Sequence, residues 1–73
     1  MKMKRLENGN FYIKSRRYVL CGRKHGDTAY VRMKDEWNGI VYVVDGINWE
    51  DILRLADDKI TEQEFLDVIY EIK

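Results

Sequence analysis

Proline is absent from the 73 residues, and cysteine and histidine occur once each. A single thiol cannot form an internal disulfide, and one Cys with one His cannot supply the four ligands of a structural zinc site. No apolar run approaches the ~18 residues of a membrane-spanning helix. The basic opening Met1-Lys2-Met3-Lys4-Arg5 leads into Leu6-Glu7-Asn8-Gly9-Asn10 and not into an apolar stretch, so it lacks the form of a secretory signal. The expected setting is therefore the cytoplasm, with the thiol reduced and no membrane partner. The five glycines are dispersed and form no phosphate cradle. A chain this short buries only about 60% of the surface it exposes when unfolded. That leaves room for one small domain, residues 1–73, and not for a catalytic domain beside a cofactor domain.

Net charge is missing too, since 13 Lys+Arg balance 13 Asp+Glu. The balance conceals a division. Residues 1–34 hold ten cations and two acids, whereas residues 35–73 hold three cations and eleven acids. Such asymmetry points to electrostatic pairing, either of the two halves with each other or of each with a partner.

What is present is a clear change of period. Apolar residues alternate through the first two-thirds and recur every three to four residues in the last third, so strands precede helices. Residues 10–14 read as a strand with Phe11 and Ile13 on one side and Tyr12 and Lys14 on the other. After a turn at Ser15-Arg16, residues 17–23 form a second strand, in which Gly22 marks a bulge or a close approach. Lys24-His25-Gly26-Asp27 closes a hairpin. Residues 28–37 and 40–45 flank Asn38-Gly39, the strongest short signal for a two-residue type I′ turn. That turn sets Trp37 opposite Ile40, Asp35 opposite Tyr42 and Met33 opposite Val44. The core face is then Ala29, Val31, Met33, Trp37, Ile40, Tyr42 and Val44, with Asp35 near the tip.

Two helix starts follow within residues 48–72. Asn48 is an N-cap with Asp51 three residues on, and Ile47 and Ile52 stand at hydrophobic-staple spacing. Trp49, Ile52, Leu53 and Ala56 share a face, so this helix should run to about Asp58. Thr61 and Glu64 form a capping box, with Ile60 and Phe65 as its staple. Phe65, Leu66, Ile69 and Ile72 make the buried stripe, and Glu64, Asp67 and Glu71 an acidic helix face opposite it. The expected architecture is α+β: a four-stranded antiparallel meander followed by two short helices packed on one sheet face, with residues 1–9 outside the sheet as a basic, disordered N-terminus.

Catalytic and metal chemistry find little support. Cys21 and His25 lie four residues apart on a strand, about 13 Å along an extended chain, with no third group to orient them. Residues 57–65 imitate the second half of an EF-hand loop, but its first and third ligand positions fall on Leu53 and Leu55. The capping box accounts for the same letters without calcium. The expectation is a protein that is not an enzyme, with no cofactor and no metal.

The uncovered sheet face holds more. Tyr12, Lys14, Tyr30, Arg32, Lys34, Val41 and Val43 alternate outward on the strands, with a basic edge of Arg16, Arg17, Arg23 and Lys24 at their ends. Tyr and Arg among aliphatics make a protein-binding surface, and a protein is the first expected partner. Rings beside cations also serve single-stranded nucleic acid, the second expectation. Attraction between the basic sheet and the acidic helix face of another copy, giving a homo-oligomer, is the third. A short, proline-free composition rich in Lys, Ile, Tyr, Asn and Glu suits a phage, bacterial or mobile-element inhibitor or regulator that binds a larger macromolecule.

Overall fold

The chain is described by a computed structural model over residues 2–72. Five strands lie in chain order across one antiparallel sheet: β1 (Met3–Arg5), β2 (Asn10–Lys14), β3 (Tyr18–His25), β4 (Thr28–Asp35) and β5 (Val41–Asn48). Helices α1 (Trp49–Ala56) and α2 (Glu62–Ile72) follow. The class is α+β and the order of elements is the expected one, but the sheet has five strands where alternation predicts four. The extra strand is β1, whose Met3, Lys4 and Arg5 pair with Ile13, Tyr12 and Phe11 after a single 3₁₀ turn at Glu7–Gly9. Three residues are too few to display a period, so this segment, expected to lie outside the sheet, carries no visible signal.

Alternation places the core correctly on β2, β3 and β4. Phe11, Ile13, Leu20, Ala29, Val31 and Met33 are buried on the inner face. Gly22 stands between Phe11 and Val31 in the sheet. A side chain there would collide with the Tyr30 carbonyl oxygen and come within 2.8 Å of Phe11 Cζ. The glycine therefore marks a close approach.

The connection from β4 to β5 departs from expectation. It is not a two-residue turn at Asn38-Gly39. Asp35 N–H donates to the Ile40 carbonyl and Gly39 N–H donates to the Asp35 carbonyl, both at 2.8 Å, so the chain reverses through residues 36–39. Gly39 has positive φ (77°), but Asn38 does not, which removes the type I′ conformation. The competing signal is Asp35 itself. Its Oδ1 accepts the Trp37 N–H at 2.9 Å, a side-chain turn that begins before the Asn-Gly pair. Pairing is consequently displaced by two residues, with Met33 opposite Tyr42 and Lys34 opposite Val41. A shift of two preserves which side chains face inward. Trp37 and Ile40, expected in the core, instead lie in the loop with 70% and 49% of their surface exposed.

Further along, β5 continues past Asp45. Val31 pairs with Val44 and Ala29 with Ile47, so Tyr30 faces both Asp45 and Gly46 across a bulge. The inserted residue returns Ile47 to the inner side, where it is fully buried.

Both helices cover the inner face against β5. Helix α1 ends at Ala56, two residues early, and buries Ile52, Leu55 and Ala56, whereas Trp49 and Leu53 are half-buried. Asn48 occupies its N-cap position without a capping side-chain bond. Its anchor is the Trp49 N–H, which donates to the Asp27 carbonyl at 2.8 Å and ties the helix to the β3–β4 turn. The box on α2 is complete: Glu64 N–H donates to Thr61 Oγ1 at 3.1 Å, and Thr61 N–H donates to Glu64 Oε1 at 3.0 Å. Phe65, Leu66 and Ile69 are buried as expected, but Ile72 is exposed.

Two substitutions test this packing. Thr61→Ala removes one half of the box and should cost about 1 kcal/mol. Gly22→Ala forces β3 away from Phe11 and from Tyr30, and overpacking of this kind costs about 1–3 kcal/mol or more. Urea denaturation should rank wild type above Thr61→Ala and Thr61→Ala above Gly22→Ala. An inverted order refutes the close approach at Gly22.

Candidate interaction surface

The outer face follows directly from strand register. One row crosses all five strands: Lys4, Tyr12, Cys21, Arg32 and Val43. A second row holds Lys14, Val19, Lys34 and Val41, and a third holds Asn10, Arg23 and Tyr30. Strands about 4.8 Å apart give the surface a width of about 19 Å. Tyr30, Val41 and Val43 lie within strands and expose 42%, 38% and 42% of their surfaces. All seven face residues expected to bind a partner thus share one side of the sheet, Tyr12 being half-buried and the others exposed.

Charge on this face has one dominant sign. Among the described residues, Lys4, Lys14, Arg32 and Lys34 make no ion pair. The outward acid on the strands is Asp45, at the bulge. The acids of α1 and α2 belong to the opposite layer. There Arg54 is held by Asp51 at 3.1 Å and Glu50 at 3.6 Å on its own helix. The outer face is therefore mainly basic and the helical layer mainly acidic.

The four cations expected to form a basic edge do not share one. Arg16 and Arg17 precede β3, while Arg23 and Lys24 lie near its far end. Arg17 is bound to Asp35, and Arg23 Nε donates to the Asn8 carbonyl at 3.1 Å. Lys24 Nζ and the Arg5 guanidinium each lie 5.6 Å from the Trp49 ring centre, and that ring meets Phe11 edge-on. Alternation explains the division, because Lys24 falls on the inward side whereas Arg23 falls outward. On the acidic helix face, Glu64, Asp67 and Glu71 are all exposed. Glu64 is engaged in the capping box, and Asp67 accepts the Gln63 amide at 3.3 Å.

A cluster at the tip of β4 has no counterpart in the expected site. Asp35 is 1% exposed, and its Oδ2 accepts Arg17 Nε at 2.8 Å and a terminal guanidinium nitrogen at 2.6 Å. The same guanidinium lies 4.8 Å from the Trp37 ring centre and 5.2 Å from that of Tyr18. Arg17, donating hydrogen bonds, holds the Asp35 carboxyl below its ordinary pKa against the opposing effect of burial. Burial pushes Tyr18 up, and a hydrogen bond with Tyr70 pushes Tyr42 up. Beside this cluster a cleft of 410 Å³ separates Arg16 and Trp37 from Thr61, Glu62 and Gln63 at the start of α2. The available signal was an acid in the inward phase of a strand, which calls for a nearby cation.

Cys21 and His25 both occupy outward positions on β3, and Cys21 is exposed. Among the described residues, no group of three or more His, Cys, Asp or Glu side chains could hold a metal ion. No described helix is long and apolar enough to cross a membrane. No protein-family model matches the chain, and no curated protein or solved structure matches it either.

The Asp35 pair has a pH signature. Because its folded-state pKa is depressed, its contribution is complete above about pH 4, the range of an unfolded Asp, and is lost as pH falls through the lower folded value. The stability gap between wild type and Asp35→Asn should therefore be widest near neutrality and close progressively in acid. A gap that stays constant from neutral pH into strong acid excludes the pair as its source.

Proposed function

We propose that this protein is a non-enzymatic binding module that lays the outer face of its sheet against an acidic surface of a protein partner, as an inhibitor or regulator of a larger macromolecule. The observation that carries this reading is the cationic face, in which valine and tyrosine are interleaved with Lys4, Lys14, Arg23, Arg32 and Lys34, none of them ion-paired among the described residues. An antiparallel sheet with one solvated face normally presents polar residues there. Here Val19, Val41 and Val43 stand beside Lys34 and Arg32, joining apolar area to charges available for pairing. A standard interface takes about 800 Å² from each partner, about a sixth of the 4897 Å² accessible surface.

Single-stranded nucleic acid is the second reading, favoured by the row that sets Lys4, Tyr12 and Arg32 together and by Tyr30 beside Arg23. The protein reading stands ahead of it because β5 presents valines where a stacking platform needs further rings.

Affinity capture from bacterial lysate, followed by identification of the bound species, separates the two. Wild-type protein should retain one stoichiometric protein partner. Arg32→Glu with Lys34→Glu, and separately Tyr30→Asp with Val43→Asp, should each release it while keeping the wild-type circular dichroism. Retention by both variants overturns the sheet-face reading. If the captured species is nucleic acid, with affinity falling steeply above ~50 mM salt, the second reading replaces the first.

A further inference from the structure

We propose that the outer face contains a pocket for one anchor of that partner: an apolar side chain flanked by carboxylates, carried on an extended acidic segment. The inference rests on the sheet-face reading and narrows it. A depression of 420 Å³ opens on this face, bounded by Leu6, Cys21, Gly22, Arg23, Tyr30 and Arg32. Its volume falls within the range of small-ligand sites.

Local structure builds each wall. Leu6 leaves β1 at the start of the 3₁₀ turn, and its N–H donates to the Asn10 carbonyl at 2.8 Å. The turn leaves the Leu6 side chain 57% exposed over the sheet, with Arg23 secured to the same turn through the Asn8 carbonyl. Tyr30 pairs with Arg23, and Arg32 with Cys21, in adjacent rows about 7 Å apart. Gly22 contributes backbone to the lining, its absent side chain being on the inner side toward Phe11.

The chemistry selects the occupant. No acid lines the depression, and two arginines do. A neutral guest would leave both guanidinium groups without a charge partner, whereas carboxylates beside the anchor receive charge-assisted hydrogen bonds from them. Beside the arginines, the exposed apolar lining is supplied by Leu6 and Tyr30. Of the two rings in the lining Phe11 is buried, so a nucleobase would find only Tyr30 exposed for stacking. A leucine or phenylalanine side chain seated in the depression would cover apolar area that a polar guest leaves wet.

The only thiol of the chain, Cys21, lies in this depression and reports its occupancy without engineering. The experiment follows alkylation of wild-type protein by iodoacetamide with a blocked peptide of alternating glutamate and phenylalanine. Alkylation should slow about fivefold once free peptide reaches about four times its Kd. The same peptide with glutamine for glutamate should give no protection, and neither should Leu6→Asp or Arg32→Glu protein with the acidic peptide. Absence of protection in folded wild type, or equal protection by the glutamine peptide, overturns the proposal. Stronger protection by a short oligothymidylate overturns it in favour of nucleic acid. Partner capture by Leu6→Asp protein separates this inference from the broader reading. If Leu6→Asp still captures the partner that Tyr30→Asp with Val43→Asp releases, the face docks but the depression is not its anchor. If no variant releases the partner, both readings fall.

Discussion

Asp35 sits at the end of β4 in the inward phase, where a carboxylate is tolerated only with partners on both oxygens. Arg17 occupies Oδ2 and the Trp37 N–H occupies Oδ1. These bonds accomplish more than neutralising a buried charge. Capture of the Trp37 N–H begins the reversal at Asp35 and thereby chooses the register of β5. That register sets Val43 beside Arg32 and Val41 beside Lys34 on the outer face. Arg17, drawn to the carboxylate, is held away from the basic surface and lies between the rings of Tyr18 and Trp37. A truncated Arg17 would leave an uncompensated buried charge, a far larger disturbance than loss of an exposed ion pair.

Much of the arrangement was legible because alternation and helix spacing survive small errors of position. Phe11 and Ile13 face inward whatever their partners are, and the Thr61–Glu64 box forms from letters three residues apart in one segment. The β4–β5 turn was misplaced because two local signals overlap, and the stronger depends on a remote residue. Asn38-Gly39 favours a turn wherever it occurs, but Asp35 gains from its own turn only when Arg17 arrives across the sheet. Even so, the displacement was an even number of residues, and the outer face kept its membership. Trp37 and Ile40 suffered most, since the longer loop removes them from the pattern that implied burial. At the N-terminus β1 was invisible for a different reason: its pairing with β2 is a tertiary fact with no local period. The depression beside Leu6 depends on that same strand and turn, so it too lay beyond sequence reasoning.

Both helices lie on the same side of the sheet, which leaves the other face open among the described residues. Five strands span about 19 Å, and two helices about 10 Å wide side by side cover about that distance. With 8 residues in α1 and 11 in α2, the helices form one layer on the inner face, packed chiefly against β5. No third layer follows among the described residues. If the outer face docks a partner as proposed, it must satisfy two demands: enough charge to remain hydrated, and enough apolar area to contribute to docking. Alternating valine and tyrosine with lysine and arginine meets both, because the long basic side chains can lay their methylene stems over neighbouring apolar atoms while their charged ends stay wet.

The cancelling charges acquire a direction from this layering. With cations on the sheet and acids on the helices, the molecule has almost no net monopole but a pronounced sidedness. At physiological ionic strength screening acts over about 8 Å, so an approaching acidic surface responds mainly to the side nearest it. It is attracted by Lys14, Arg32 and Lys34 on one side and repelled by Glu64, Asp67 and Glu71 on the other. Attraction alone would favour any acidic body, including a long polyanion. Repulsion from the helical layer penalises a body large enough to meet both sides and leaves a compact acidic patch as the better match. On the proposed reading, zero net charge becomes part of the selectivity, because the acids that balance the basic face lie on the reverse of the molecule.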